Sequence, residues 1–366
     1  MTPKRFRHGV VIGKFYPLHA GHSLLIRHAL RMCDTLTVEV LGSSVESIPL
    51  ETRTAWVREE HPTARVVSAM DDAPVDYESE EAWDIHVRLI ESLLHEPVDA
   101  VFTSDAYGEE LARRLSAEWV SVDPERLTVP VSGTAIRADL AGHWSELPPS
   151  VRASLTARVV VLGAESTGST TLAEALAETL RTEWVPEYGR EYSLTREGGP
   201  FAPWRTDEFD IVVERQLAME NAARRTAPKP VIVCDTDVLA TALWHEHHVG
   251  TPAAHIFARA ESHQPTFYIL TGDEIPYEHD EVRCGKEVRF DMTRQFRAVL
   301  QAQSVPFVEV SGSVAERVAA ALAALEPVYA QHTAFADSLE TLSAEEQRAI
   351  YQASPHSGSE PADARQ

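Results

Sequence analysis

Gly9-Val10-Val11-Ile12-Gly13-Lys14-Phe15-Tyr16-Pro17-Leu18-His19-Ala20-Gly21-His22 decides the fold of the first half of this 366-residue chain. Gly9 to Gly13 is a short apolar run, Pro17 falls in the turn that follows, and His22 to Met32 carries a helical pattern. A strand that passes through a glycine turn into a helix N-terminus opens a βα unit. The same order returns at Arg158-Val159-Val160-Val161-Leu162-Gly163, followed by a helical pattern over Thr170 to Leu180.

Both halves continue in alternation. Leu36–Leu41 and Asp99–Thr103 are predicted strands, and Trp83–Leu94 and Glu109–Ala117 predicted helices. In the second half Pro230–Cys234, Thr266–Leu270 and Phe307–Val310 are predicted strands and Val314–Leu325 a helix. The pattern predicts an α/β chain of two domains with parallel sheets; with the motifs read below, the N-terminal domain is expected to be Rossmann-like and the C-terminal one a P-loop domain. Length agrees, at roughly 150 residues per domain. The expected bounds are 1–148 and 155–330, with 331–366 a C-terminal helix and a tail expected to be disordered from about Ala353, where Ser, Pro, Gly and Glu dominate.

Composition narrows the function classes. Acidic residues outnumber basic ones 56 to 33, for a formal net charge of -23. Such a chain lacks the cation surplus that non-specific nucleic-acid binding needs, so no nucleic acid is expected as partner. The three cysteines are far apart and form no CxxC pair, which argues against a disulfide framework or structural zinc and for a reducing cytoplasm. No membrane span or signal-peptide core is expected. Homo-oligomerisation is compatible with all of this.

Two constellations carry chemistry. In the first, His19 and His22 stand three apart at a predicted helix start, where free N–H groups and the helix dipole favour anions. Gly21 between them lets a ligand approach the backbone, and Lys14 adds a cation. In the second, Gly163-Ala164-Glu165-Ser166-Thr167-Gly168-Ser169-Thr170-Thr171 matches GxxxxGK[ST] at every position but one, because Ser169 stands in the lysine place. The glycines and the helix start still fit a phosphate, and Thr170 fits a Mg²⁺ ligand. Losing one preorganised donor costs about 2.7–4 kcal/mol in a transition state. Val231-Ile232-Val233-Cys234-Asp235-Thr236-Asp237 is an apolar strand ending in acids, where a metal-associated Asp or a base would sit. His245, His247 and His248 lack zinc spacing and are expected to be exposed at a helix end. Trp184, Trp204 and Trp244 are candidates to line a ring pocket.

The first constellation resembles the GxFxPxHxGH signature of the nucleotidyltransferase superfamily, and Ser132-Gly133-Thr134-Ala135-Ile136-Arg137 resembles its SxTxxR element. With Lys14, Tyr16 and Phe102-Thr103-Ser104-Asp105-Ala106-Tyr107-Gly108, the first half resembles the adenylyltransferase half of NadR-type proteins. Pro186-Glu187-Tyr188-Gly189-Arg190-Glu191-Tyr192 and Ile275 to Arg283 resemble segments of the NadR-type ribosylnicotinamide kinase, the latter with Glu281 where glycine is usual. The resemblance spans roughly residues 8 to 325.

The resemblance implies a bifunctional enzyme of NAD salvage. The first domain would transfer AMP from ATP to nicotinamide mononucleotide, releasing pyrophosphate and giving NAD. The second would phosphorylate nicotinamide riboside with ATP and Mg²⁺. His19, His22, Lys14, Arg137 and Asp235 would be catalytic. ATP would be held by Gly13, Phe15, Gly21, Ser132 and Thr134 in the first domain, and in the second by Gly163, Gly168, Ser169, Thr170, Thr171, Arg283 and Arg289. Arg53, Trp56, Glu187, Tyr188, Arg190 and Asp237 would contact substrate, and Thr170 and Asp235 the metal. Arg283, Lys286 and Arg289 are candidates to replace the missing lysine. Three alternatives stand beside this: an adenylyltransferase of pantetheine phosphate, a cytidylyltransferase, and an adenylyltransferase whose second domain senses nucleotide without turnover because of Ser169. Some NadR-type proteins carry an N-terminal helix-turn-helix; none is expected ahead of the first strand here.

Overall fold

The computed structural model describes residues 4–275 and 286–355. They fall into two compact units, one of residues 1–151 with 335–366, the other of residues 152–334. Each unit is built on a five-stranded, wholly parallel sheet.

In the first unit the strands are β1 (Phe6–Gly13), β2 (Cys33–Gly42), β3 (Arg65–Met70), β4 (Ala100–Thr103) and β5 (Glu118–Ser121), in the order β3-β2-β1-β4-β5. Val10, Val11, Val38, Val40, Val101 and Phe102 have no exposed surface. Such runs suit a parallel sheet covered on both faces. Strand order reverses between β1 and β4, so their carboxyl ends, at Gly13 and Thr103, flank the crevice where ligands of doubly wound sheets lie. The C-terminal stretch returns to this unit: Gln347 accepts the Val75 N–H at 2.9 Å.

In the second unit the strands are β6 (Ala157–Leu162), β7 (Glu183–Val185), β8 (Val231–Asp235), β9 (Phe267–Thr271) and β10 (Phe307–Val310), in the order β10-β9-β6-β8-β7. Alternate residues of central β6 feed two cores. Val160 and Leu162 pack with Phe209, Leu243, Tyr268 and Phe296; Val159 and Val161 pack with Leu172, Leu176, Phe267 and Leu325. The strand and glycine loop run into the helix Ser169–Leu180, and the first unit does likewise into Ala20–Met32. No helix among the described residues is long and apolar enough to cross a membrane.

Glu39 breaks the apolar pattern of β2. It has no exposed surface, pairs in register with Ile12 and Val67, and neither carboxyl oxygen has a hydrogen-bond partner. Burial pushes its carboxyl from 4.5 up to about 8. A folded-state value above the unfolded one means stability is complete below the ordinary glutamate range and is lost as pH rises toward 8. Glu39→Leu is therefore expected to raise stability by about 1–3 kcal/mol at pH 8 and by less at pH 5. Thermal melts of both proteins at the two pH values check this, and an equal gain at each would refute it.

Candidate functional site

The carboxyl ends of β1 and β4 open into a cavity of about 630 Å³. Its floor is the loop that leaves β1. His19 caps the following helix: its Nδ1 accepts the N–H groups of Gly21 at 3.1 Å and His22 at 3.4 Å. The ring proton of neutral His19 must then sit on Nε2, ready to be donated. A side chain at Gly21 would crowd this ring, because a Cβ would stand 3.0 Å from His19 Cε1. The His19 and His22 rings stack at 3.7 Å, and Phe15 meets His22 edge-on at 4.9 Å.

Burial, and then the charge of Arg126, lowers the His19 pKa to about 4. Burial, then His19 and Arg126, lower that of His22 well below its usual value. Both rings are thus neutral near pH 7, with an N–H to donate but no charge. The cations are Lys14, Arg137 and Arg126, all lining the cavity. Arg137 donates to the Tyr16 carbonyl at 2.8 Å and to Thr134 Oγ1 at 3.3 Å. Ser132 caps the short helix Gly133–Ala138 by accepting the Ala135 N–H at 3.1 Å. Gly13, Phe15, Gly21, Ser132 and Thr134 all line the same cavity as the two histidines.

The opposite wall is polar and aromatic: Asp71, Tyr77, Trp83, His86, Thr103, Asp105 and Tyr107. The Tyr77 and Tyr107 rings lie nearly parallel at 6.1 Å. His86 Nδ1 faces Asp71 Oδ2 at 2.7 Å and its Nε2 faces the Pro74 carbonyl at 3.1 Å. Although burial disfavours its charge, Asp71 and the Pro74 carbonyl raise its pKa.

Two sequence expectations fail in this unit. Arg53 is 1% exposed; its guanidinium donates to Glu46 at 2.7 Å and to the Lys14 carbonyl at 2.9 Å. It braces the loop and does not line the cavity. Trp56 is buried and does not line it either. Conversely, sequence reading missed Arg126 and the segment Ser338–Glu340, which do line it. Arg126 sits on a loop whose Asp123 carboxylate accepts the N–H groups of Leu127, Thr128 and Val129, and it pairs with Asp105 at 3.1 Å. An Asp followed by turn residues was its only sequence signal.

In the second unit, the loop after β6 is held from below. Thr271 Oγ1 donates to Thr167 Oγ1 at 2.7 Å, and Arg317 donates to the Thr167 carbonyl at 2.7 Å. Gly163 leaves room for both threonines, whose hydroxyls would lie 2.1 and 2.3 Å from a Cβ. Ser169 opens the helix, Thr171 is exposed, and Thr170 Oγ1 donates to Asp235 Oδ2 at 2.6 Å. Burial raises the Asp235 carboxyl, against the pull of Thr170 and Arg190. Glu187 rises to about 7 through desolvation and the Asp235 charge, opposed by Arg190. Tyr188 begins the helix Tyr188–Thr195, its N–H bonded to Gln216 at 3.0 Å. Thr170 thus bonds Asp235, and the charges of Asp235 and Arg190 are felt at Glu187.

Other expectations in this unit are corrected. Asp237 is buried and fully used: it accepts the Ala240 N–H at 3.1 Å and the Tyr268 hydroxyl at 2.7 Å, capping a helix. Arg289 is buried and gives its Nη2 to the Asp273 and Ile275 carbonyls at 2.7 and 2.6 Å, so it does not replace the lysine. Arg283 and its segment 276–283 lie outside the described residues, and so does the Lys286 side chain. His245 is buried against Thr206, while His247 and His248 are exposed. Trp184 packs on one core and Trp204 and Trp244 on the other, so the three do not share a pocket.

Thr170 and Asp235 offer hard oxygen donors that suit Mg²⁺. Among the described residues no group of three or more His, Cys, Asp or Glu side chains could hold a metal by itself. Phosphate oxygens and water would have to complete the set, the usual arrangement for nucleotide-bound magnesium.

The lowered histidine values have a readable consequence. Folded-state pKa values below the unfolded 6.5 mean that stability is full above that value and is lost as pH falls through about 4. Ring-proton NMR of His19 and His22 is expected to show no titration between pH 5.5 and 8, with an upward shift of both pKa values on adding polyphosphate. Titration near 6.5 in the free protein would contradict the burial argument.

Comparisons with known proteins agree with this architecture. A family model described as an AAA domain matches residues 158–317. The Escherichia coli K12 protein named trifunctional NAD biosynthesis/regulator protein NadR is 26% identical over 324 residues, 82% of this chain and 78% of that one. Its Salmonella typhimurium counterpart of the same name is 27% identical over 331 residues, 84% of this chain and 80% of that one. A crystal structure of NadR in complex with NR shares the fold with a TM-score of 0.65 at 18% identity, covering 89% of this chain and 96% of that one. A second, of NadR with NAD and AMP-PNP, has a TM-score of 0.61 at 20% identity and the same coverage. The chain is a homologue of the NadR proteins across both of its α/β units.

Proposed function

We propose that the first unit is an adenylyltransferase that makes NAD. The observation that carries this is one cavity, at the β1/β4 crevice, lined by the stacked His19–His22 pair, Lys14, Arg137 and an aromatic wall. A phosphate oxygen of nicotinamide mononucleotide attacks the α-phosphorus of ATP. The bond from that phosphorus to the β-phosphate bridge breaks, and pyrophosphate leaves with the bonding pair. No proton need move, so the protein supplies position and charge stabilisation. His19 Nε2–H and His22 donate to the phosphate chain, and Lys14, Arg137 and Arg126 balance its charge. Tyr77, Trp83 and Tyr107 offer flat surfaces to the rings. The NAD and AMP-PNP in the structural relative support such ligands.

We further propose that the second unit phosphorylates nicotinamide riboside. The Thr170–Asp235 contact at 2.6 Å favours this over a purely sensing role, because the acid end of a P-loop site is assembled despite Ser169. The riboside hydroxyl attacks the γ-phosphorus of ATP, its proton passes to the Asp235 carboxylate, and ADP leaves. Magnesium bound with the nucleotide would neutralise phosphate charge there, held by Thr170 and the phosphate oxygens, which leaves the Asp235 carboxylate to take the proton. The complex of a NadR protein with NR supports the substrate class. Chemically the two steps run in series, the product of the second unit being the substrate of the first.

Purified protein given nicotinamide mononucleotide and Mg-ATP is expected to form NAD and pyrophosphate. His22→Ala should lower the rate by about 10²–10³-fold, since one preorganised donor is lost; an unchanged rate would sink the assignment. Given the riboside instead, the protein should release ADP as well. If only the Ser169→Lys variant phosphorylates the riboside, the second unit is a sensor and not a kinase.

A further inference from the structure

The cavity of the first unit is completed by a segment from the far end of the sequence. Phe335 packs edge-on against Tyr16 at 5.9 Å. The Tyr16 hydroxyl donates to the Ala336 carbonyl at 2.9 Å, and the Ala336 N–H donates to Ser47 Oγ at 3.1 Å. Leu339 is buried and anchors the turn Leu339–Thr341. So seated, the segment reaches two of the cavity's cations. Arg137 Nη2 lies 3.2 Å from Ser338 Oγ, and Lys14 Nζ lies 2.6 Å from Glu340 Oε2.

Lys14 therefore stands between two carboxylates, Glu340 and Glu46, the latter at 3.4 Å. With Arg53, which pairs with Glu46 at 2.7 Å, the group holds two positive and two negative side chains. An incoming phosphate chain meets a cluster with no net charge. The two acids differ in freedom. Glu46 has no exposed side-chain surface and also accepts the Ser43 N–H at 3.0 Å. Glu340 is 45% exposed on a turn fixed by Leu339, so rotation of its own side chain is enough to free Lys14.

A carboxylate oxygen on Lys14 occupies the place that a phosphate oxygen would take, through the same charge-assisted hydrogen bond. We infer that Glu340 is an affinity-setting residue of this site, an internal carboxylate that holds Lys14 until a phosphate chain displaces it. The inference rests on the proposed reading of the cavity as a nucleotide phosphate site. It gives the C-terminal segment a role in ligand binding that the two N-terminal motifs do not supply. Ser338 differs: an uncharged hydroxyl beside Arg137 can stay in place while the guanidinium engages a ligand.

The test uses the full chain and inorganic tripolyphosphate, titrated without turnover and followed through the His19 and His22 ring protons, which report binding in this cavity apart from binding at the loop after β6. Glu340→Gln keeps the shape and removes the charge; Glu340→Asp keeps the charge. The Gln variant is expected to bind about three- to fivefold tighter than the parent protein, the worth of one partly exposed ion pair. The Asp variant should stay within twofold of the parent, which separates charge from packing. KM for ATP should fall by the same factor in the Gln variant while kcat holds. Equal or weaker binding by the Gln variant overturns the inference and leaves the adenylyltransferase reading standing. Equal tightening by both variants points to a loosened turn and also overturns it. If neither parent nor variant binds tripolyphosphate, the cavity is no phosphate site and both readings fall together.

Discussion

The carboxylate of Glu46 is sealed from solvent and holds two cations at once, Arg53 at 2.7 Å and Lys14 at 3.4 Å. Much of the first site follows from that contact. Arg53 cannot be buried without a partner, because an unpaired guanidinium in the interior loses its hydration with nothing in return. Once paired, it has a further hydrogen to give, and it gives it to the Lys14 carbonyl at 2.9 Å. That bond fixes the backbone at the point where β1 gives way to the His19 loop. The same acid then positions the Lys14 ammonium at the cavity wall. A residue that looks like a ligand contact in the sequence is thus a beam supporting the loop that carries the proposed ligand contacts.

The site divides its work between neutral donors and charges. The two histidines are packed against each other and Phe15, so an imidazolium there would be costly. Their value lies in fixed direction, since His19 is locked by the N–H groups it accepts. Charge comes instead from residues further out: Arg126 on its self-capped loop, Lys14 and Arg137. These are already engaged, by Asp105, Glu340 and Ser338 respectively. Ligand binding at such a site is an exchange of partners. Its affinity is set by the difference between two sets of contacts, not by the number of cations.

How much of this could be read from the sequence depends on how local each feature is. The glycine loops, β1, β6 and the helices after them were legible because strand, turn and helix start lie within a few residues of one another. Strand β3 was not, since its residues are all half-buried, and neither was β7, which spans three residues. The roles of His19, Ser132 and Thr170 in their loops follow local rules of capping and spacing. Arg53, Asp237 and Arg289 were misjudged for the opposite reason. A charged side chain looks available until its partner is known, and their partners are Glu46, the Tyr268 hydroxyl and two backbone carbonyls. Glu340 is beyond such reading: its contact with Lys14 joins the two ends of the sequence.

The missing lysine of the second unit can now be placed in physical terms. The loop keeps its shape through groups that do not include residue 169: Thr167, Thr271 and Arg317 bond one another or the backbone beneath it. Arg317 is 1% exposed and also tied to Glu274 at 2.6 Å and the Gly312 carbonyl at 3.0 Å, so it stabilises the loop and does not reach into the site. The contacts that brace the loop therefore do not depend on a lysine at position 169, and the Ser169 hydroxyl instead bonds Asp235. Arg190, which is exposed, is a described cation whose charge acts on both Asp235 and Glu187. An exposed cation can answer charge that develops on a transferred group, but it does not preorganise the site before binding as a loop lysine does. In the proposed reading, the substitution separates two properties that a complete P-loop joins: phosphate binding, which rests on backbone shape, and rate, which depends on where the nearest cation rests.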